Sequence, residues 1–530
     1  MDTPKAPLLE RALMTVAPGM ALKRLRARAA AQLLLRHFDA ASTGRRTENW
    51  SRRGTDANTA AGASLGSLRY LARDLVRNNG WARNAVRVIT RNTVGCGIVA
   101  KPASPVPAEV SAAWKTWAGT TQCDADGRLT FYGLQKLVMR AAVESGEALV
   151  RPRWRRLEDG YVVPFQLQVL EPDFLDSTQD GRVGQEGGPI IQGIEHDAIG
   201  RRVAYWLFSH HPGSSFSAGA SKRVPASDIL HIYDQERAGQ VRGPSWLAAA
   251  IVKLRDFDEF EDAQIMKQKI AACFAAFRTD TTGEGTPIGL PQPPEAASSP
   301  GAPPVDTLEP GMVKSLPPGE EITFGNPPMT TDDGFSVRTL RAIAAAMGVT
   351  YEDLTGDYSQ VNFSSARMSR LAHWGNVYDW QWNILIPQLC DPVWAWFMRA
   401  AAVAGLFGSE VVRPGAEWTP QPMQLIEPDR EARANLLMMR SGQKTLSMVL
   451  REMGLDPATH LAEYAADMAT LDRLKIKLDM DVRAVSQAGL TQMRAGGKSE
   501  TAPAAVDEAG DGAEKDPSED PSSEDAPAAA

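Results

Sequence analysis

Asp256, Asp258, Glu259, Glu261 and Asp262 place five carboxylates within seven residues. Clustered carboxylates can hold Mg²⁺ for phosphodiester cleavage, so one reading is a metal-dependent nuclease or DNA-processing enzyme. On a helix, however, these positions point around the whole circumference and not into one site. A solvated helix surface is the preferred reading. Gly62-Ala63-Ser64-Leu65-Gly66 satisfies the G-x-S-x-G pattern. That elbow needs a strand before the serine and a helix after it. A helix follows here, but polar linker precedes, so Ser64 is not assigned as a nucleophile. Gly497-Lys498-Ser499 has the ending of a phosphate-binding loop, yet Gln492 stands where the first glycine belongs. His210-His211 precede Pro212 in a Gly/Ser-rich run and read as surface loop. Cys96, Cys123, Cys273 and Cys390 are scattered with no C-x-x-C pair, which argues against zinc. The expectation is a protein without catalytic residues, metal or cofactor.

The totals narrow the class further. The chain has 530 residues, 43% hydrophobic, with thirteen Trp. That length allows two to four domains. Net charge is −7, unevenly spread. Residues 499–530 hold ten Asp/Glu and one Lys, a net of −9, while residues 1–60 hold eleven Lys/Arg and five Asp/Glu, a net of +6. The body between is mildly acidic, unlike a domain that grips nucleic acid by its phosphates. The low cysteine count suits a reducing cytosol. No apolar run reaches the ~18 residues of a membrane span, and the N-terminus has no signal-peptide pattern. Residues 21–38 form a basic amphipathic stretch, read as a peripheral helix or arm.

The periodicity predicts an α+β chain. Residues 39–66 read as linker. Residues 67–95 read as two helices joined at Asn79-Gly80, with Leu68, Leu71, Leu75 and Val76 on one apolar face and Trp81, Ala85, Val88 and Ile89 on the next. Helices follow at 107–119 and 131–146. Residues 147–235 alternate and are β-rich, mostly antiparallel, with turns at Asp159-Gly160 and at 197–200. A long helical pattern, broken once, covers 243–277. Residues 281–304 are Pro/Gly/Ser-rich and read as a loop, with a short strand pair after them. Helix returns at 335–348. A polar loop precedes the longest tract, from 364 to about 405, where Pro387 and Pro392 should kink or break it. Helices fill 431–478. From 499 the tail reads as disordered.

"ARDLVRNNGWARNAVRVITRNTVGCGI", residues 72–98, resembles the N-terminal motif of the lambda-type portal proteins of tailed bacteriophages. "VESGEALVRPRW", "LEPDFLD", "GIEHDAIGRRVAYWL", "ILHIYDQERAGQVRGPSWLAAAI" and "AAAMGVTYEDLTGDYSQVNFSSARMS" agree with it in order. The resemblance covers roughly residues 67–400. It implies a homo-oligomeric, twelvefold ring at one capsid vertex. Double-stranded DNA is packaged and ejected through it, and it holds terminase, head–tail connector proteins and capsid or scaffold protein. The expected place is the virion, after assembly in the host bacterial cytoplasm, with no membrane partner.

The resemblance also implies a division of the chain. Residues 1–66 would be a basic arm and linker, and 67–242 a wing of helices followed by antiparallel β structure. Residues 243–278 and 335–348 would be the two stem helices, with a clip at 279–334 between them. Residues 349–363 would be the tunnel loop and 364–430 a kinked helix returning to the wing. Residues 431–498 would form a helical crown and 499–530 a disordered acidic tail. The DNA-facing residues of the loop would be Asp357, Tyr358, Ser359, Gln360, Val361 and Asn362. Asp357 opposes adhesion, Gln360 and Asn362 make exchangeable contacts, and Ser364 or Ser365 caps the helix behind. Trp374, Trp380, Trp382, Trp394 and Trp396 would be either ring-interface anchors or wing core.

Overall fold

Short polar side chains decide where the first helices start. Asp56 accepts hydrogen bonds from the N–H groups of Asn58 and Thr59 and opens α1 (Ala57–Gly62). Asn79 stays extended between α2 (Leu65–Asn78) and α3 (Gly80–Val94), and its Oδ1 accepts from the Ala82 N–H at 3.0 Å. The two-helix reading around Asn79-Gly80 therefore holds. Two details differ. Part of the expected linker, residues 57–62, is helical because Asp56 supplies a cap. Leu71 is exposed, and the buried stripe of α2 runs Leu65, Arg69, Ala72, Val76. An arginine lies on the inner face because buried carboxylates await it.

The computed structural model describes residues 54–273, 333–408, 414–423 and 427–476. The basic stretch 21–38, the Pro-rich run 281–304 with the strand pair after it, the Gly497-Lys498-Ser499 sequence and the acidic tail 499–530 lie outside them.

After α3 come β1 (Val99–Pro102), α4 (Ala108–Gly119) and α5 (Phe131–Ser145). Gly146 stops α5 in the left-handed region, at φ 91°. The β region then follows as expected: β2 (Glu147–Trp154), β3 (Phe165–Leu170), β4 (Gly187–Ile191), β5 (Ile194–Asp197), β6 (Arg202–Leu207), β7 (Lys222–Pro225) and β8 (Leu230–Tyr233). It makes two antiparallel sheets, ordered β3-β2-β8 and β4-β5-β6-β7. A third pair joins β1 to β9 (Ala416–Thr419), across more than three hundred residues. Neither β1 nor β9 was legible, because each is four residues long and without clean alternation.

The long helical pattern is broken once, at Ala250, between a 3₁₀ turn (Trp246–Ala249) and α6 (Ile251–Cys273). Then come α7 (Asp333–Met347), α8 (Tyr351–Thr355) and α9 (Phe363–Asp379). The expected break at Pro387 does not occur. Residues Trp380–Cys390 form a π-helical segment that leads directly into α10 (Asp391–Val403). The wider turn accommodates a residue that has no N–H to donate. Pro392 is the second residue of α10, and the helical run continues through it.

One aromatic cluster ties these distant segments together. The Trp114 ring lies 4.8 Å from Trp394 and 4.9 Å from Phe397, and Trp117 stacks on Phe165 at 4.7 Å. This settles the tryptophan question for four of the five named residues. Trp374, Trp380, Trp394 and Trp396 are buried, and Trp382 alone of that set is exposed.

The chain divides into two compact units, residues 1–455 and 456–530. α11 (Pro428–Arg440) and α12 (Leu446–Glu452) fall in the first. The described part of the second is α13 (Pro457–Leu474), opened by Asp456, whose carboxylate accepts from the Thr459 N–H.

Candidate functional site

The segment between α7 and α9 is built from both ends inward. Gly348 leaves α7 at φ 67°. Its carbonyl oxygen accepts from Asn376 Nδ2 at 3.0 Å and lies 3.0 Å from His373 Nδ1. His373 Nε2 lies 2.9 Å from Asn92 Nδ2, so the ring bridges α3 and the Gly348 carbonyl. Thr350 then opens α8: its Oγ1 accepts from the Asp353 N–H and donates to Asp353 Oδ2. Leu354 is buried, and Asn84 of α3 donates to the carbonyls of both Asp353 and Leu354. The first half of the expected loop is thus a short helix bolted to α3.

The far end is fixed by Asn362. Its Oδ1 accepts from the Ser365 N–H at 2.8 Å, and the Ser365 Oγ donates to the Asn362 carbonyl. Asn362, not Ser364 or Ser365, is therefore the cap of α9, because it is the residue in extended backbone one turn ahead of the free N–H groups. Its Oδ1 is committed to the helix.

Between these ends lies a short tip, residues 356–362. Tyr358, Ser359, Gln360 and Asn362 are exposed, and Asp357 and Val361 are half-buried. Asp357 organises the turn. Its carboxylate accepts from the Ser359 N–H at 3.0 Å and the Tyr351 hydroxyl at 3.2 Å. Hydrogen bonding from Ser359, then Tyr351, holds the carboxyl below the usual range, so the tip keeps its negative charge.

A second polar centre lies inside the first unit. Glu147, fully buried at the start of β2, is gripped by Arg242, whose Nε lies 2.8 Å from both carboxylate oxygens. Arg69 Nη2 adds a contact at 3.1 Å and His231 Nε2 one at 2.8 Å. Burial alone would raise the Glu147 pKa. The Arg242 charge, with hydrogen bonds from His231 and Arg242, pushes it well below the normal value instead. Arg69 also reaches Asp173 at 3.2 Å. This cluster joins α2, β2, β8 and the loop before α6. It acts as a clamp on these elements.

The residues first considered for chemistry separate. Among 256–262, Asp258 accepts from Asn79 Nδ2, Glu261 from Trp81 Nε1, and Glu259 pairs with Arg255. They face different neighbours and form no shared metal site. Ser64 follows a helix, not a strand. His211 is less isolated than a plain surface loop implies: among the described residues, its ligand atom and those of Glu171 and Asp173 lie within 4.8 Å of one another. Arg73 Nη2 already sits 2.7 Å from Asp173 Oδ2 and 3.3 Å from Glu171 Oε2, so the cation there is a guanidinium. The sequence signal for this cluster was only the proximity of Glu171 and Asp173. No helix among the described residues is long and apolar enough to cross a membrane.

Comparison with known proteins gives a consistent result. The sequence pattern of "Phage portal protein, lambda family" matches residues 43–381. The "Probable portal protein" of Halomonas phage phiHAP-1 is 25% identical over 475 residues, covering 84% of this chain and 88% of its own. "Portal protein B" of Escherichia phage lambda is 25% identical over 351 residues, covering 57% and 63% respectively. Among solved structures, a chain in the neck of an empty gene transfer agent particle aligns over 74% of this chain and 94% of its own, with 17% identity and a TM-score of 0.41.

Proposed function

Because the chain belongs to the lambda family of phage portal proteins, we propose that it assembles as a twelvefold ring at one capsid vertex and that residues 356–362 line its DNA channel. The role is structural. Double-stranded DNA passes through the assembly, and terminase, head–tail connector proteins and capsid or scaffold protein dock on it. Residues 67–242 serve as wing, 243–278 and 335–348 as stem, 279–334 as clip and 431–498 as crown. The particle belongs to the virion and forms in the host cytoplasm.

The observation that carries this reading is the build of the 348–363 segment. Its base is immobilised by Asn84, His373 and Asn376, its far end by Asn362, and the tip between them is largely exposed. A tip of that kind can touch a moving polymer without unravelling the helices that carry it. It contains no cation and one charged carboxylate, Asp357. Each neutralised phosphate adds counterion-release affinity, so a tip without Lys or Arg lets the duplex slide. A ring of identical subunits docks one face of each copy on a different face of the next. Met368, Leu371, Tyr378 and Trp382 are exposed along α9 and the following turn at helical spacing, which supports a neighbour there.

The test has two parts. Purified chain should form annular particles by negative stain, with a mass of twelve 57.4-kDa subunits, about 690 kDa. Replacing residues 358–361 with a Gly-Ser linker, which spares the Asn362 cap, should leave the ring intact and impair DNA packaging or retention. Loss of the ring in that variant would make the tip a structural turn.

A further inference from the structure

Arg151, Arg153 and Arg155 occupy alternate positions on and just beyond β2, so they share one face of the sheet. The facing residues of β3 are glutamines. Arg151 Nε and Arg153 Nε both donate to Gln168 Oε1 at 2.9 Å, and Arg155 Nε donates to Gln166 Oε1 at 2.7 Å. Gln166 is itself buried, with Nε2 bonded to the carbonyls of Gln122 and Asp124, which turns its oxygen toward Arg155. Gln168 is oriented by the two donors it receives. Each guanidinium is thereby held by its Nε. Both Nη nitrogens of all three are left without a protein partner among the described residues.

No carboxylate forms an ion pair with these three arginines among the described residues. The glutamines accept hydrogen bonds but cancel no charge. Burial and the neighbouring guanidinium lower the pKa of Arg151 and of Arg153, as expected of crowded like charges. The row borders an open cleft of about 600 Å³ lined by Asp126, Pro152, Arg153, Trp154, Arg155 and Gln168, among others. Asp126 is the one acid in that lining.

We propose that Arg151, Arg153 and Arg155 bind the phosphodiester backbone of DNA without regard to sequence. The site is separate from the 356–362 tip. Successive arginines of the row are ~6.7 Å apart along the strand, so three separate cationic forks face a ligand in one line. A linear row of forked donors suits a linear polyanion, and guanidinium–phosphate pairs are bidentate and charge-assisted. The pre-set Nε contacts reduce the ordering cost of each arginine. An acidic protein segment is the other ligand such a row can take, and competition with a poly-glutamate peptide separates the two.

The test uses the full chain and a fluorescently labelled short duplex of random sequence, with anisotropy read across a salt series. Two variants are compared with the parent: R151Q/R153Q/R155Q, and Q168E, which keeps the arginines but supplies an isosteric counter-charge between two of them. The triple variant should lower the slope of log affinity against log salt by about three and weaken binding tenfold or more at ~0.1 M salt. Q168E should shift both in the same direction by a smaller amount, with an unchanged thermal melt. Unchanged slopes in both variants overturn the proposal. So does a labelled poly-glutamate peptide that binds the row more tightly than duplex of equal charge. Size-exclusion of the same samples keeps this independent of the ring reading: a parent that remains one subunit yet shows row-dependent DNA binding loses the ring and keeps the site.

Discussion

Gly146 and Gly243 meet backbone to backbone. A Cβ on Gly146 would lie 2.3 Å from the Gly243 carbonyl oxygen, and a Cβ on Gly243 would lie 2.3 Å from that of Gly146. The contact lets the chain before α6 press against the end of α5, and it sets the flanking Glu147 and Arg242 in register for their buried ion pair. Backbone cannot yield as a flexible side chain can. G243A should therefore cost about 1–3 kcal/mol of stability, read as a shift in denaturation midpoint. G146A should cost at least as much, since it also forces a side chain into φ 91°.

Arg242 is the main compensating charge for Glu147. R242M should destabilise by about 3–5 kcal/mol, because it leaves a buried carboxylate short of its principal partner. Adding E147Q in the same chain should recover a large part of that loss. Denaturant titration of the two variants checks the coupling.

The same cluster predicts a pH dependence. Burial, aided by Arg202 and Arg242 and opposed by Glu147, moves His231 from 6.5 down to about 4. Between those values the unfolded chain binds a proton that the folded chain refuses, so stability falls as pH drops from 6.5 toward 4. Glu147 has the depressed pKa of a paired carboxylate. Its contribution is present above the unfolded value of 4.5 and is lost below it. Stability measured from pH 7 to 4 should decline in the parent, and H231Q, which retains an N–H donor, should flatten the upper part of that decline.

Asn362 is expected to matter as the cap of α9. N362A should cost about 0.5–2 kcal/mol, while S364A should be nearly neutral. Hydrogen exchange of the Ser365 amide, which Asn362 binds, should rise in N362A alone.

The tryptophans divide by burial. W394A removes a ring packed on Trp114 and Phe397 and should cost about 3–5 kcal/mol. W382A should leave the subunit melt within ~0.5 kcal/mol and lower the fraction assembled into rings, measured by mass photometry. A W382A ring as robust as the parent's would remove Trp382 from the subunit interface.

Much of this protein was legible in one dimension. Asn79-Gly80, Gly146, Asp456-Pro457 and the alternation over 147–235 act locally, through caps, left-handed backbone and strand period, so they read directly as helix ends and strands. The motif order also identified the family. What tertiary structure decided depends on partners far away in the chain. Arg69 is buried only because Glu147 and Asp173 arrive beside it, and Pro387 is tolerated only within a π-helical turn of the core. β1 exists because β9 pairs with it. Arg151, Arg153 and Arg155 read as ordinary strand residues until their partners on β3 prove to be glutamines and not acids. A side chain's charge is written in the sequence, but whether that charge is cancelled is a matter of distance, and distance between remote residues is set only when the chain folds.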